Sequence, residues 1–119
     1  MIALGSGASG VFTRSNTMYS NLEQAGYETG DRVWRMPLFS VYTDKITKSP
    51  TADLNNIGPG RGGGACTAAA FLGEFVENEN WAHVDIAGVM DASDAAYVSK
   101  GMSGRPTRTF LKYLEEKLA

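Results

Sequence analysis

One cysteine and one histidine are all that 119 residues hold of the two side chains that most often build transition-metal centres. Neither H-E-x-x-H nor C-x-x-C occurs, and His83 has no second imidazole to work with. Asp53, Asp85, Asp91 and Asp94 show no hydrolase spacing and no bridging pair of the kind a two-metal centre needs. Cys66 has no partner for an internal disulfide, so, with no leader-like start, a reducing cytosolic setting is expected. No apolar run approaches the roughly 20 residues of a membrane helix, and a net charge of −2 argues against a nucleic-acid surface. Repeats and low-complexity tracts are missing too. What is present suits a folded domain, with 43% hydrophobic and 20% charged residues. The chain opens on Met1-Ile2-Ala3-Leu4, which reads as a short buried strand and hints at a piece of a larger domain.

The most unusual stretch runs from Asn55 to Leu72. Gly58, Gly60, Gly62, Gly63 and Gly64 form a loop that leads into Ala65–Val76. That segment is predicted to be a helix with almost no polar face, and therefore buried. Such a loop can cradle an anion, wall a pocket or make a tight turn. A phosphate loop is excluded because Gly60–Cys66 lacks the Lys-Ser/Thr that meets phosphate and magnesium. An anion on the free N–H groups at the helix start stays open. A second motif, Gly5-Ser6-Gly7-Ala8-Ser9-Gly10, is a literal G-x-G-x-x-G. As a dinucleotide fingerprint it needs an acidic residue about 20 positions on, ending a second strand. Glu23 to Asp31 reads instead as helix-to-loop, so a small-residue turn is expected.

Ser15-Asn16 can cap a helix over 17–25, with Gly26 as its stop and Met18, Leu22 and Ala25 facing inward. Val33–Leu38 is extended and stopped by Pro37. Trp34 is expected to pack, with a cation–π or interface role for Trp34 and Arg35 as the alternative. A short helix is predicted from Phe39 to about Thr47, with Phe39, Tyr42 and Ile46 on one side. Thr51–Ile57 is a strand or an extended lead into the glycine loop. Trp81–Met90 reads as a central strand. Trp81, His83, Asp85, Ala87 and Val89 then share one face, and Ala82, Val84, Ile86, Gly88 and Met90 the other. Residues 91–104 form a loop, Pro106 fits the first helical position, and a last helix reaches Leu118 with Leu111, Leu114 and Leu118 as its apolar stripe.

His83 and Asp85, roughly 7 Å apart on one strand face, could form an acid–base pair. The plainer reading is a satisfied histidine, with the carboxylate paired to an arginine such as Arg105, because buried charges need partners. Cys66 as a nucleophile would need a positioned base and some exposure, and within a buried helix it reads as a core thiol. These residues alone make no complete active site.

Several stretches together resemble the leucyl (cytosol) aminopeptidases, two-metal enzymes that remove N-terminal residues from peptides. They are Ala3–Thr13, Gly30–Leu38 (GDRVWRMPL), Ala52–Gly58 (ADLNNIG), Gly64–Leu72 (GACTAAAFL), Trp81–Met90 (WAHVDIAGVM) and Gly101–Arg108 (GMSGRPTR). Their order and spacing are those of the family, and they cover nearly the whole chain. The resemblance implies an α/β fold, as part of a three-layer α/β/α sandwich with a mixed central sheet. It makes residues 1–119 the C-terminal portion of the catalytic domain. The family's metal ligands and catalytic residues lie earlier, among a lysine, aspartates and an Asn-Thr-Asp-Ala-Glu-Gly-Arg motif that this chain does not contain. No catalytic residue and no metal ligand is therefore expected in residues 1–119. The full family enzyme holds two divalent metal ions, zinc or manganese, and none is expected on this chain alone, which should be inactive by itself.

What the resemblance carries over is one wall of the substrate pocket. The Ala and Met of the A-G-V-M run, here Ala87 and Met90 with Gly88 between them, line the pocket for the N-terminal side chain. Ile57 lines the pocket for the next residue. A small residue leaves room, and a methionine adapts to leucine-like side chains. Pro59-Gly60 and Gly62-Gly63 depart from the bulkier residues of relatives. The implied partners are a peptide with a free N-terminus and five further copies in a cytoplasmic hexamer, with no nucleic acid and no membrane. The rival expectation is a catalytically inactive aminopeptidase-like structural protein. A nucleotide-binding module built on Gly5–Gly10 is a third reading, which dinucleotide binding would test.

Overall fold

A computed structural model describes residues 3–47, 63–90 and 101–118. The element order is β1 (Ser9–Thr13), α1 (Asn16–Thr29), β2 (Val33–Arg35), α2 (Ser40–Ile46), α3 (Gly64–Gly73), β3 (Ala82–Asp85) and α4 (Thr107–Leu118). The three strands form one mixed sheet in the order β2-β1-β3. β1 pairs with β2 in parallel, Ser9 opposite Val33, and with β3 antiparallel, Gly10 opposite Asp85 and Thr13 opposite Ala82.

All five residues of β1 are buried, and their alternation builds both halves of the core. Val11 points to one face, where it meets Leu22, Val33, Met18, Tyr19 and Tyr113 from α1, β2 and α4. Phe12 points to the other, against Cys66, Ala69, Met36, Leu38 and Tyr42. The result is three layers, with α1 and α4 on one side of the sheet and α2 and α3 on the other, an α/β/α arrangement as expected from the resemblance.

The ends of α1 follow from local chemistry. The Ser15 side chain accepts the Met18 N–H at 3.1 Å, and Gly30 closes the helix in the left-handed conformation at φ 76°. The helix therefore runs through Gly26, which is not its stop. Gly26 is buried where the chain doubles back, and a Cβ there would stand 3.0 Å from the Asp31 carbonyl oxygen. Glycine lets α1 and β2 approach; it does not break the helix.

Four further expectations are corrected. Ala3–Ser6 is a turn with Ala3 exposed, and the strand starts only at Ser9. The G-x-G-x-x-G thus precedes and enters a strand, whereas a dinucleotide fingerprint follows one. Trp34 does not pack inward: it lies 61% exposed on the edge strand β2. Arg35 makes its cation–π contact with Tyr19, 5.5 Å from the ring centroid, and not with Trp34. Helix α3 ends at Gly73 and buries only one side, through Cys66, Thr67, Ala69, Ala70 and Gly73, while Leu72 and Phe75 are exposed.

The last helix begins at Thr107, just after Pro106, so the proline precedes it and does not open it. Its Leu111, Leu114 and Leu118 stripe is 57%, 52% and 85% exposed. The helix docks on α1 through Thr109 and Tyr113 and through Lys112, 3.4 Å from Glu28. At 100° per residue the leucines fall on the opposite side. The predicted strand and glycine loop over residues 51–62 and the loop over residues 91–100 lie outside the described residues.

Candidate functional site

The register of the sheet brings three separate segments to the end where β1 begins. Ser9 stands beside Val33 and Gly10 beside Asp85, so residues 3–8, the entry to β2 and the exit from β3 all meet there. Arg105 ties them together. Its Nε donates to Asp31 Oδ1 at 2.5 Å and its Nη1 to the Ser6 carbonyl at 2.8 Å. Both charged side chains are largely buried, which a carboxylate and a guanidinium tolerate only when paired. Thr109 on α4 donates to the Asp31 carbonyl at 2.5 Å, so the last helix is fixed to the same point. Arg105 therefore pairs with Asp31 and not with Asp85, contrary to expectation.

Asp85 has a different task. Its Oδ1 accepts the Ala87 N–H at 3.0 Å, and the Val89 N–H donates to the Ile86 carbonyl at 2.9 Å. The carboxylate thus caps a turn that ends β3 at Asp85, five residues earlier than predicted, and among the described residues β3 is the outer strand of the sheet next to β1. The correction matters for the site. A continuous strand would place Ala87 and Met90 on opposite faces of the sheet. In the turn both are exposed, Met90 by 43%, while Val89 between them is fully buried as the anchor. Gly88 is half-buried.

Helix α3 reaches toward the same end from the other face. Its last residue, Gly73, lies beside Arg14 and Trp81, which flank the far ends of β1 and β3, while Cys66 packs on Phe12 in mid-strand. The helix therefore runs in the same direction as β1 and antiparallel to β3, and its first residues, which continue the glycine stretch, are aimed at the end that carries Ala87 and Met90. Ile57 itself lies outside the described residues.

The candidate chemical groups are accounted for differently. His83 is half-buried and stacks obliquely on Phe12, with ring centroids 5.8 Å apart. Burial pushes its pKa below the ordinary histidine value, against the opposing pull of Asp85. Cys66 is a buried core thiol beside Tyr42, whose phenol is pushed up by that neighbour. Among the described residues no three His, Cys, Asp or Glu side chains converge on a point that could hold a metal ion. Asp31 is committed to Arg105 and Asp85 to its own turn, so the described residues do not fit a metal centre. A separate open groove of about 560 Å³ lies along α1 and β2, lined by Glu23, Gln24, Tyr27, Arg32, Val33 and Trp34. It is on the edge of the sheet away from β3 and is not lined by Ala87, Gly88 or Met90.

The sequence model of the cytosol aminopeptidase family, catalytic domain, matches residues 1–111. This chain belongs to the cytosol aminopeptidase family. Among its relatives, the cytosol aminopeptidase of Sus scrofa is 60% identical over 114 residues, 95% of this chain. That of Dictyostelium discoideum is 44% identical over 117 residues, 97% of the chain. A tomato leucine aminopeptidase mutant superposes with a TM-score of 0.84 at 35% identity and covers 98% of the chain. The chain spans 22% of the length of each of these proteins. The whole-chain match to the tomato structure confirms the expected α/β class.

Two features of this end were not legible in the sequence. One is the Asp31–Arg105 pair, whose members are 74 residues apart. The other is Ser103, whose N–H donates to the Met90 carbonyl at 2.8 Å and whose Oγ donates to the Val89 carbonyl. A buried-charge argument could have asked Arg105 for a carboxylate but not chosen which. Ser103 had no signal beyond its place in a small-residue loop.

Proposed function

We propose that this chain is the C-terminal portion of the catalytic domain of a metal-dependent leucyl aminopeptidase and supplies an apolar wall of its substrate pocket. The observation that supports this reading is the turn after β3, which exposes Ala87 and Met90 together on a fixed frame. Ala87 leaves space for the N-terminal side chain of a peptide. Met90, flexible and polarisable, packs on leucine-like side chains, and burying each methylene there favours binding by about 0.8 kcal/mol. Gly88 keeps the turn slim, and Ile57, which lies outside the described residues, is assigned by the family resemblance to the pocket for the next residue of the peptide. The two divalent ions, zinc or manganese, and the groups that activate water belong to a part of the polypeptide upstream of these residues. The assembly is a homohexamer in the cytoplasm that acts on peptides with a free N-terminus.

Leucyl-amide hydrolysis tests the reading. The 119-residue chain alone is expected to show no metal-dependent turnover, and a polypeptide extended upstream to the length of the relatives is expected to show it. In that extended enzyme Met90→Ala raises KM for leucyl amide about tenfold with a smaller change for alanyl amide. Turnover by the 119 residues alone, or an inert extended enzyme, would overturn the proposal. The second of these results is the one a structural, catalytically inactive relative would give.

A further inference from the structure

We infer that Ser103 is a positioning residue for the pocket wall, a clamp that sets how far Met90 stands into the space for the N-terminal side chain. The inference rests on the pocket-wall reading above and deepens it by naming what determines its selectivity. Ser103 binds two consecutive carbonyls of the turn, Val89 through its hydroxyl and Met90 through its N–H. The same Oγ accepts the Arg105 N–H at 3.1 Å. Arg105 in turn is held by Asp31 and by the Ser6 carbonyl, and Asp31 by Thr109. A continuous chain of bonds thus runs from the buried start of β2 to the exposed Met90. Val89 is fully buried directly before it, so the Met90 backbone is fixed from below by packing and from the side by Ser103. No other described hydrogen bond reaches the Val89 or Met90 carbonyl. Without the hydroxyl, the Val89 carbonyl and the Arg105 N–H both lose a partner, and the turn is free to relax.

A displaced wall changes which side chain fits, not the chemistry at the scissile bond. Selectivity is therefore the diagnostic, because the ratio of kcat/KM for two substrates does not depend on the fraction of enzyme folded. In the enzyme extended to the relatives' length, Ser103→Ala is expected to lower the preference for leucyl over alanyl amide about fivefold, chiefly through KM for the leucyl substrate. Ser103→Thr, which keeps the hydroxyl, is expected to retain the preference. If Ser103→Ala does not fold, Ser103→Cys, with a weak donor in place of the hydroxyl, is expected to show a partial loss. An unchanged ratio in Ser103→Ala or Ser103→Cys, or an equal loss of kcat/KM for both substrates, would overturn the clamp and leave the proposed function standing. An unmutated enzyme with no turnover would remove the pocket reading itself, and the clamp with it.

Discussion

The two ends of the sheet are both closed by arginines, but by different physics. Where β1 begins, Arg105 meets a buried carboxylate and joins three segments that are far apart in the sequence. Where β1 ends, Arg14 donates to the Gly73 and Val76 carbonyls at 3.0 and 3.1 Å and lies 5.4 Å from the Trp81 ring centroid. Arg35 there donates to the Thr13 carbonyl and to Asn16, over Tyr19. Carbonyls and rings reward an arginine without demanding one, since each retains its packing or finds water when the cation is removed. Asp31 has no such alternative at 5% side-chain exposure. The end that carries Ala87 and Met90 is thus the one built on a mutual dependence of charges, which is costly to lose but holds its geometry closely.

The largest expected effect comes from breaking that dependence. Arg105→Ala strands the Asp31 carboxylate and is expected to cost about 3–5 kcal/mol in urea unfolding. Arg14→Ala at the other end is expected to cost about 1 kcal/mol, for two partly exposed hydrogen bonds and a ring contact. Equal losses would break the comparison between the ends. His83 provides a smaller, pH-dependent effect. Burial lowers its folded pKa, so between that value and the ordinary value of about 6.5 the unfolded chain takes up a proton that the folded chain refuses. Stability is then full above the ordinary value and falls as pH drops toward the folded one. Thermal melts of His83→Gln from pH 7.5 to 5 are expected to be flatter than those of the unmutated chain. A parallel pair of curves would show that Asp85 cancels the burial. The smallest effect belongs to Ser9, whose buried Oγ has no hydrogen-bond partner among the described residues at the start of β1. Ser9→Ala is expected to be neutral or stabilising by up to about 1 kcal/mol, and a clear loss would reveal a structural role for that hydroxyl at the start of β1.

Local signals were legible where the physics is local. The Ser15 cap, the short helix over 40–46, the extended Val33–Arg35 and the buried thiol of Cys66 all depend on neighbours within a few residues, or on an apolar pattern. Three readings failed, the first two because a distant partner decided them and the last through a side chain that caps its own turn. Gly26 stops no helix because the returning chain needs its bare backbone. Leu111, Leu114 and Leu118 form a true amphipathic stripe, yet Thr109 and Tyr113 choose the face that docks. The apolar run Ile86–Met90 looks like strand, but Asp85 folds back onto Ala87 and ends it.

The sequence by itself determined the family and the α/β class, because motifs and spacings over nearly the whole chain are linear information. Only the tertiary structure decided that Ala87 and Met90 lie exposed in a turn and not on a strand. It also decided that Arg105 answers Asp31 and not Asp85, and that Ser103 holds the turn. Each of these is a choice among chemically equivalent partners, and it is made by which backbone segments the sheet register brings to one end.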